Sequence, residues 1–228
     1  MPAAPAEQDE RCMVWLDIDN TLYSASAGIS HEMGVRIHAY FVGMGFPEEE
    51  ASKLHHEYYS QYGLAIRGLV RHHQIDPLDF DQKCDGSLPL EELLKPNPGL
   101  RQLLKDIDRT KARVWGLTNA YYTHANRVLR ILGIDDLVED VIFCDYSNPE
   151  FSCKPESQFY TDALKKAALT DPSKCYFIDD SRNNVKAARQ LGWGHCVHFC
   201  ERGDADEGIV AISKLEELRI VWSELFKQ

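Results

Sequence analysis

Short apolar runs recur along the chain, and a polar residue follows each of them. The runs are CMVWL before Asp17, RVWGL before Thr118, VIFC before Asp145, CYFI before Asp179 and HCVHF before Cys200. Compact runs of this length are typical of strands that are buried on both faces of a sheet. The pattern therefore predicts five strands, each with a polar residue at its carboxyl end.

Segments with helical periodicity separate the later strands. They cover roughly residues 122–132, 155–168 and 183–191, and Gly133 and Gly192 stand just after the first and the last of them. Glycine directly after a periodic segment is a common helix stop. Strands that alternate with helices in this way predict an α/β fold, a doubly wound, Rossmann-like parallel sheet with helices on both faces.

The stretch between Asp17 and Thr118 is far longer than one crossover between parallel strands requires. Most of it has helical periodicity, interrupted by turn residues, so we expect about four helices inserted as a cap over the strand ends. The predicted layout is a disordered tail at 1–11, a catalytic core made of 12–28 and 95–228, and a helical cap at 29–94.

Composition places the chain among soluble globular proteins. Of its 228 residues, 44% are hydrophobic and 27% are charged. No segment has the roughly 18 uninterrupted apolar residues of a membrane helix, and the first residues lack the apolar core of a signal peptide. We expect a cytoplasmic protein, with the nucleus as an alternative, and no membrane partner.

Charge and cysteine content narrow the function classes. The net charge of −11 disfavours nucleic acid as a partner, although a bound cation would still admit a small anionic substrate. The seven cysteines contain no CxxC pair and are interpreted as reduced packing residues. The segment HCVHFC, residues 195–200, resembles a metal site, but alternation within a strand explains it better.

Polar strand ends converge in an open parallel sheet, where ligands bind outside the carboxyl ends of the strands. Four carboxylates in one crevice would repel one another strongly unless a hard cation such as Mg²⁺ were bound among them. The side chains expected in this crevice are those of Asp17, Asp19, Thr118, Asn119, Lys154, Asp179 and Asp180.

The two carboxylates of the first strand end suit different steps of phosphoryl transfer. Asp17, at the strand tip, can attack phosphorus and carry the phosphoryl group as an aspartyl phosphate. Asp19 can protonate the leaving alkoxide and then deprotonate the hydrolytic water. Thr118 and Lys154 can supply a hydroxyl and a positive charge to the phosphoryl oxygens. The pattern predicts a Mg²⁺-dependent phosphomonoesterase.

Four motifs of the chain resemble those of the haloacid dehalogenase superfamily of phosphatases. They are LDIDNTL at 16–22, LTNA at 117–120, CKPE at 153–156 and IDDS at 178–181. The resemblance implies that Asp17 is nucleophile and metal ligand, and that Asp19 is acid/base with its backbone carbonyl on Mg²⁺. It also implies that Asp180 is the principal metal carboxylate and that Asp179 binds the metal directly or through water. Asn183 would contact these ligands without binding the metal itself.

Three longer phrases are similar to fungal and plant pyrimidine 5′-nucleotidases. They are WLDIDNTLY, the cap phrase YYSQYGLAIRGL at 58–69, and FIDDSRNN at 177–184. This resemblance implies a nucleoside 5′-monophosphate substrate, with UMP and CMP as the best expectation. In the cap, Tyr58, Tyr59, Tyr62 and Phe80 are candidates to stack on a base, although tyrosines at helical spacing are also typical of a cap core. The residues that we expect to bind substrate are Thr118, Asn119, Lys154, Tyr62 and Arg67.

Other functions stay open at this point. One is a phosphatase for another small phosphomonoester, such as lysophosphatidate or a sugar phosphate. Another is a phosphomutase on the same scaffold, which would pass the phosphoryl group to a second alcohol. A signalling receiver module also has paired acids on a doubly wound sheet, but it is shorter and lacks a helical cap. The sequence gives no prediction of the oligomeric state.

Overall fold

A six-stranded parallel sheet forms the centre of the protein in a computed structural model that describes residues 9–148, 150–201 and 208–227. The strand order is β3-β2-β1-β4-β5-β6, so the direction of winding reverses beside β1, where such folds bind ligands. The predicted doubly wound parallel sheet is confirmed. The strands are β1 (Cys12–Leu16), β2 (Ala112–Leu117), β3 (Asp140–Ile142), β4 (Cys175–Asp179), β5 (His195–Phe199) and β6 (Val210–Ile212).

The two faces of the sheet carry separate apolar clusters. Val14 and Leu16 of β1 belong to one cluster, whereas Met13 and Trp15 belong to the other. This division follows from the alternation of side chains along a strand. The HCVHF run obeys the same rule, because Val197 lies in the first cluster and Cys196 in the second. The strand interpretation of this segment is thus the one that the structure adopts.

Ten helices accompany the sheet in the described part of the chain. Each of them is too short or too polar to span a lipid bilayer. The five that cover the core are α6 (Pro98–Asp106), α7 (Tyr122–Leu132), α8 (Ser157–Lys166), α9 (Arg182–Gln190) and α10 (Leu218–Val221).

The other five helices lie between β1 and α6, in the segment for which the sequence predicts a cap of about four helices. The additional one, α5 (Leu90–Leu93), is a single short turn whose Leu90 belongs to the same apolar cluster as Val14 and Leu16 of β1. The division into core and cap stays a prediction. The cap interior is tight: a Cβ added at Gly68 would lie 2.2 Å from Cγ of Tyr58. Tyr58 is buried there and therefore belongs to the cap core. The cap helices are α1 (Ile29–Gly43), α2 (Glu48–Tyr62), α3 (Ala65–His72), α4 (Pro77–Lys83) and α5 (Leu90–Leu93).

The predicted disordered tail, 1–11, falls mostly outside the described residues. Its last three residues are described, and all three take part in ion pairs. Asp9 lies 2.7 Å from the Arg11 guanidinium, and Glu10 lies 2.6 Å from the ammonium of Lys174. The chain is therefore held against the core from residue 9 onward.

Candidate active site

Three carboxylates meet at the carboxyl edge of the sheet. Asp17 follows β1, while Asp179 ends β4 and Asp180 comes next. Since β1 and β4 are parallel neighbours, their ends lie side by side. One oxygen from each of the three side chains lies within 4.8 Å of the others. The structure thus brings together residues that are about 160 positions apart in the chain.

Lys154 lies between two of these carboxylates and is almost completely buried. Its ammonium donates to Oδ1 of Asp17 at 2.7 Å, to Oδ2 of Asp179 at 2.6 Å and to the carbonyl of Leu117 at 2.6 Å. An ammonium has three donors, so all are in use. Lys154 is the counter-ion of the acidic cluster in this state. Its contact with phosphate stays a prediction and requires exchange of one of these bonds.

One lysine does not balance three carboxylates. Burial, and then the charge of Asp179, raise the pKa of Asp17 to about 7. Burial, and then the charges of Asp17 and Asp179, raise the pKa of Asp180 to about 8. Such crowded oxygen donors suit a hard divalent cation, which favours carboxylate ligands. Asp17, Asp179 and Asp180 are the residues that would hold Mg²⁺.

Asp179 is the more constrained of the two neighbouring aspartates. Its Oδ1 accepts from the backbone N–H of Ser181 at 2.7 Å and from Nδ2 of Asn184 at 3.0 Å. Its Oδ2 accepts from Lys154. Asn183 and Asn184 both line the cavity, and Asn184 supports Asp179. The place of Asn183 behind the metal ligands stays a prediction. Asn184 is the second asparagine of the FIDDSRNN phrase, and sequence reasoning missed it.

Thr21 connects the first and the fourth motif. Its hydroxyl donates to Oδ2 of Asp17 at 2.7 Å and accepts from the backbone N–H of Asp180 at 3.0 Å. The LDIDNTL motif contains this threonine, but its position in the sequence did not reveal the bond to Asp180. The side chain thus fixes the separation of two predicted metal ligands.

Asp19 has surroundings quite unlike those of Asp17. Its Oδ1 accepts from the hydroxyl of Tyr23 at 2.6 Å and from Nε2 of His124 at 2.7 Å. Burial acts to raise the pKa of Asp19, but the charge and hydrogen bond of His124 outweigh it, so the pKa is lowered. Burial acts to lower the pKa of His124, and the charge of Asp19 reverses this and raises it to about 9.

The second motif supplies Thr118 and Asn119, which both line the cavity. Oγ1 of Thr118 accepts from the backbone N–H of Ala120 at 3.0 Å. Asn119 donates through Nδ2 to the carbonyl of Lys154 at 2.8 Å and accepts through Oδ1 from its N–H at 2.7 Å. The amide of Asn119 therefore holds the backbone of Lys154, and substrate binding by Asn119 stays a prediction.

A cavity of about 770 Å³ separates the acidic edge of the sheet from the cap. Its cap side is mostly neutral, with the aromatic and polar side chains of His55, Tyr59 and Gln61 and the apolar side chain of Ile66. Lys154 is the one lysine or arginine among the described residues that line it. The cavity thus offers two buried cationic side chains, Lys154 and His124, at its acidic end and a wide neutral region opposite.

Tyr62 and Arg67, predicted to bind substrate, are not among the described residues that line the cavity, and other protein groups occupy their polar atoms. Tyr58 and Tyr62 are one helical turn apart and both face α3, where Tyr62 bonds Nε2 of His72 at 2.6 Å. Arg67 is buried and requires a counter-charge, which Glu156 of the core provides at 2.9 Å. Of the three cap tyrosines named as candidates, Tyr59 is the one that lines the cavity, and it is 60% exposed.

Comparison with known proteins supports the motif assignment. A profile of haloacid dehalogenase-like hydrolases matches residues 13–192. Phosphate metabolism protein 8 of Saccharomyces cerevisiae is 37% identical over 209 residues, which cover 88% of this chain and 65% of that protein. Phosphorylated carbohydrates phosphatase of Thermotoga maritima is 29% identical over 139 residues, which cover 59% of this chain and 62% of that protein. This chain thus spans less than two thirds of the length of either relative.

The fold agrees with solved structures of the same kind. The crystal structure of a HAD phosphatase from Thermococcus onnurineus matches with a TM-score of 0.61 at 21% identity, covering 92% of this chain and 97% of that chain. The family profile extends over far more than half of the present chain and includes all four motifs. The protein therefore belongs to the haloacid dehalogenase-like hydrolases.

Proposed function

We propose that the protein is a Mg²⁺-dependent phosphomonoesterase that carries the phosphoryl group on Asp17. The observation that carries this proposal is the pair of carboxylates at one strand end with separate partners. Asp17 lies among the other acids and Lys154, whereas Asp19 is paired with Tyr23 and His124. One carboxylate is thus placed for attack on phosphorus and the other for proton transfer.

The chemistry takes two steps. An oxygen of Asp17 bonds to phosphorus, the ester P–O bond breaks, and its electron pair goes to the leaving oxygen, which takes a proton from Asp19. Asp19 has to be protonated in the substrate complex for this step, although its pKa is lowered in the state described above. Water then gives a proton to Asp19 while its oxygen bonds to phosphorus, and the bond from phosphorus to Asp17 breaks to release phosphate. Bound Mg²⁺ would supply positive charge against the phosphate and the carboxylates.

The proposed substrate is a nucleoside 5′-monophosphate, with UMP and CMP first. The wide neutral side of the cavity and the exposed ring of Tyr59 suit a base and a ribose. The preference for a pyrimidine rests on the resemblance of three sequence phrases to pyrimidine 5′-nucleotidases.

A sugar phosphate is the second candidate, favoured by the similarity to a phosphorylated carbohydrates phosphatase. A phosphomutase is less compatible with the cavity. Its bisphosphate intermediate requires a second cationic subsite, and Lys154 is the sole lysine or arginine among the described lining residues.

The test is phosphate release from a panel of esters with Mg²⁺ present. The panel contains UMP, CMP, AMP, glucose 6-phosphate, glycerol 3-phosphate and lysophosphatidate. We expect the highest kcat/KM for UMP or CMP, loss of activity in EDTA, and recovery on addition of Mg²⁺. A sugar phosphate as the best substrate would replace the nucleotide assignment. Absence of phosphate release from every ester would contradict the proposed function.

A further inference from the structure

The carboxylate of Asp19 is held on one side only. Both donors that reach it, the hydroxyl of Tyr23 and Nε2 of His124, bond the same oxygen, Oδ1. The side chain is 30% exposed and lines the cavity. A carboxylate rotates easily about its last torsion. Two donors that bond the same oxygen therefore fix the orientation of the whole group. Oδ2 is left for proton transfer.

His124 comes from a different element and is fixed by its own burial. It lies in the first turn of α7, and its side chain is 2% exposed. Its other ring nitrogen, Nδ1, lies 3.6 Å from Oδ1 of Asp85, in the short turn after α4 of the cap. That distance is too long for a hydrogen bond but short enough for attraction between charges. The ring therefore stands between the acid/base of the core and a carboxylate of the cap.

Burial of an imidazole between two carboxylates is difficult to explain by packing alone. A buried charged group has to be paired to be tolerated, and an apolar side chain would fill the same space without that requirement. Neither of the two catalytic steps described above uses His124. Its short bond to the acid/base is the feature that a purely structural role leaves unexplained.

We propose that His124 is a positioning residue, which together with Tyr23 fixes Oδ1 of Asp19 so that Oδ2 exchanges the proton with the leaving oxygen. This inference rests on the proposed phosphomonoesterase function and adds a residue to it. Loss of His124 leaves Asp19 with one donor and a freer carboxylate. Proton transfer to the leaving group then slows, while attack by Asp17 continues.

The test compares two leaving groups in His124→Ala. An alkoxide such as the 5′-oxygen of UMP requires a proton as it leaves, whereas p-nitrophenolate leaves without one at neutral pH. General acid catalysis contributes about 10²–10⁴-fold, and His124→Ala weakens it without removing Asp19, so we expect kcat/KM for UMP to fall by about tenfold to 100-fold. We expect kcat/KM for p-nitrophenyl phosphate to change little, since this constant reports only the steps up to cleavage of the ester bond.

Two further variants keep the test decisive. His124→Gln retains an N–H donor near the position of Nε2 and should recover part of the activity on UMP. If the alanine variant does not fold by circular dichroism, the comparison of the two esters rests on Tyr23→Phe. Tyr23→Phe removes the second donor and should shift the ratio of the two kcat/KM values in the same direction. Equal losses on both esters in the variants would overturn the positioning role, as would unchanged activity on both.

The same experiment distinguishes a wrong role for His124 from a wrong phosphomonoesterase proposal. If the wild-type protein releases phosphate from neither ester, the phosphomonoesterase proposal itself is wrong. If the wild type hydrolyses both and the variants lose both equally, that proposal stands and only the role of His124 falls.

Discussion

At the scale of single residues, Asp17 and Asp19 have different pKa values because different groups surround them. Asp17 and Asp19 are two residues apart on one motif. Lys154 and Thr21 bond the first, whereas Tyr23 and His124 bond the second. Burial and the charge of Asp179 raise the pKa of Asp17 in spite of Lys154 and Thr21, whereas His124 and Tyr23 lower the pKa of Asp19 in spite of burial. The division of roles is therefore set by partners that the fold delivers.

The nucleophile is tested by Asp17→Asn. An amide has the shape of the carboxylate but cannot form the aspartyl phosphate, so turnover of UMP should fall by at least about 10³-fold. The fold should persist, because the change removes one negative charge from a crowded site. Asp145→Asn is the matched control, since Asp145 is an exposed aspartate near the end of another strand. Phosphate release near the wild-type rate in Asp17→Asn with Mg²⁺ would exclude the covalent mechanism.

The base-binding side of the cavity is tested by Tyr59→Ala. Stacking on an aromatic ring contributes about 0.5–1.5 kcal/mol, so kcat/KM for UMP should fall by a few-fold to about tenfold. Glycerol 3-phosphate has no base, and its kcat/KM should be nearly unchanged. Tyr62→Phe serves as the control from the same helix, because that ring lies outside the cavity. Equal losses on both substrates would exclude a role in recognition of the base.

The sequence reveals residues that follow predicted strands, but it does not reveal contacts between side chains that are far apart in the chain. The motifs located Asp17, Asp179 and Lys154, because a strand pattern brings polar residues after strands to one edge. The bond between Asp19 and His124 joins residues 105 positions apart, and nothing local indicates it. The ion pair of Arg67 with Glu156, 89 positions away, is likewise not indicated by any local pattern.

At the scale of elements, the end of α2 packs directly on the loop of the catalytic lysine. Gly63 follows α2 with φ of 75°, a conformation that favours glycine. A Cβ there would lie 2.8 Å from the carbonyl oxygen of Lys154 and 2.9 Å from Cδ of Pro155. The missing side chain is what permits this contact between cap and core.

Gly63→Ala should therefore be costly in two ways. The positive φ alone costs about 1 kcal/mol of unfolding free energy, and the clash adds to it by displacing Lys154. Gly133→Ala is the matched control, because Gly133 has φ of 71° and nothing within 4 Å of an added Cβ. We expect both variants to lose stability in urea unfolding, and only Gly63→Ala to lose about tenfold or more in kcat/KM. Equal activity of the two variants would show that the contact does not matter for catalysis.

Long elements were predictable from the sequence, and short ones were not. The five apolar runs and the long cap helices have enough residues to show a period. The fifth cap helix, α5, has four residues and β6 has three, so neither contains a readable repeat. The shift of β3 to Asp140–Ile142, against the predicted run VIFC, likewise reflects a strand of only three residues.

At the scale of the whole molecule, the acidic site opposes folding when no cation is bound. The net charge is already −11, and the three carboxylates add local repulsion in a buried place. A ligand that binds only the folded state stabilises it by mass action. The free energy of unfolding should therefore respond to Mg²⁺ and to pH together.

The direction of the pH effect follows from the raised pKa values of Asp17, about 7, and Asp180, about 8. The folded protein retains protons on these carboxyls that the unfolded chain releases above about pH 4. Unfolding then releases protons, so the free energy of unfolding in EDTA should decrease as pH rises from 5 to 9. Addition of Mg²⁺ should restore stability at pH 9 and have little effect at pH 5, where the cation competes with protons.

Asp180→Asn removes one of the titrating groups. In EDTA at pH 9 this variant should be more stable than the wild type, by on the order of 2 kcal/mol, and Mg²⁺ should stabilise it less. Urea unfolding of both proteins at the two pH values measures this difference. Parallel pH profiles for wild type and variant in EDTA would show that the three carboxylates do not repel one another in the folded protein, and would remove the electrostatic reason for a metal at this site.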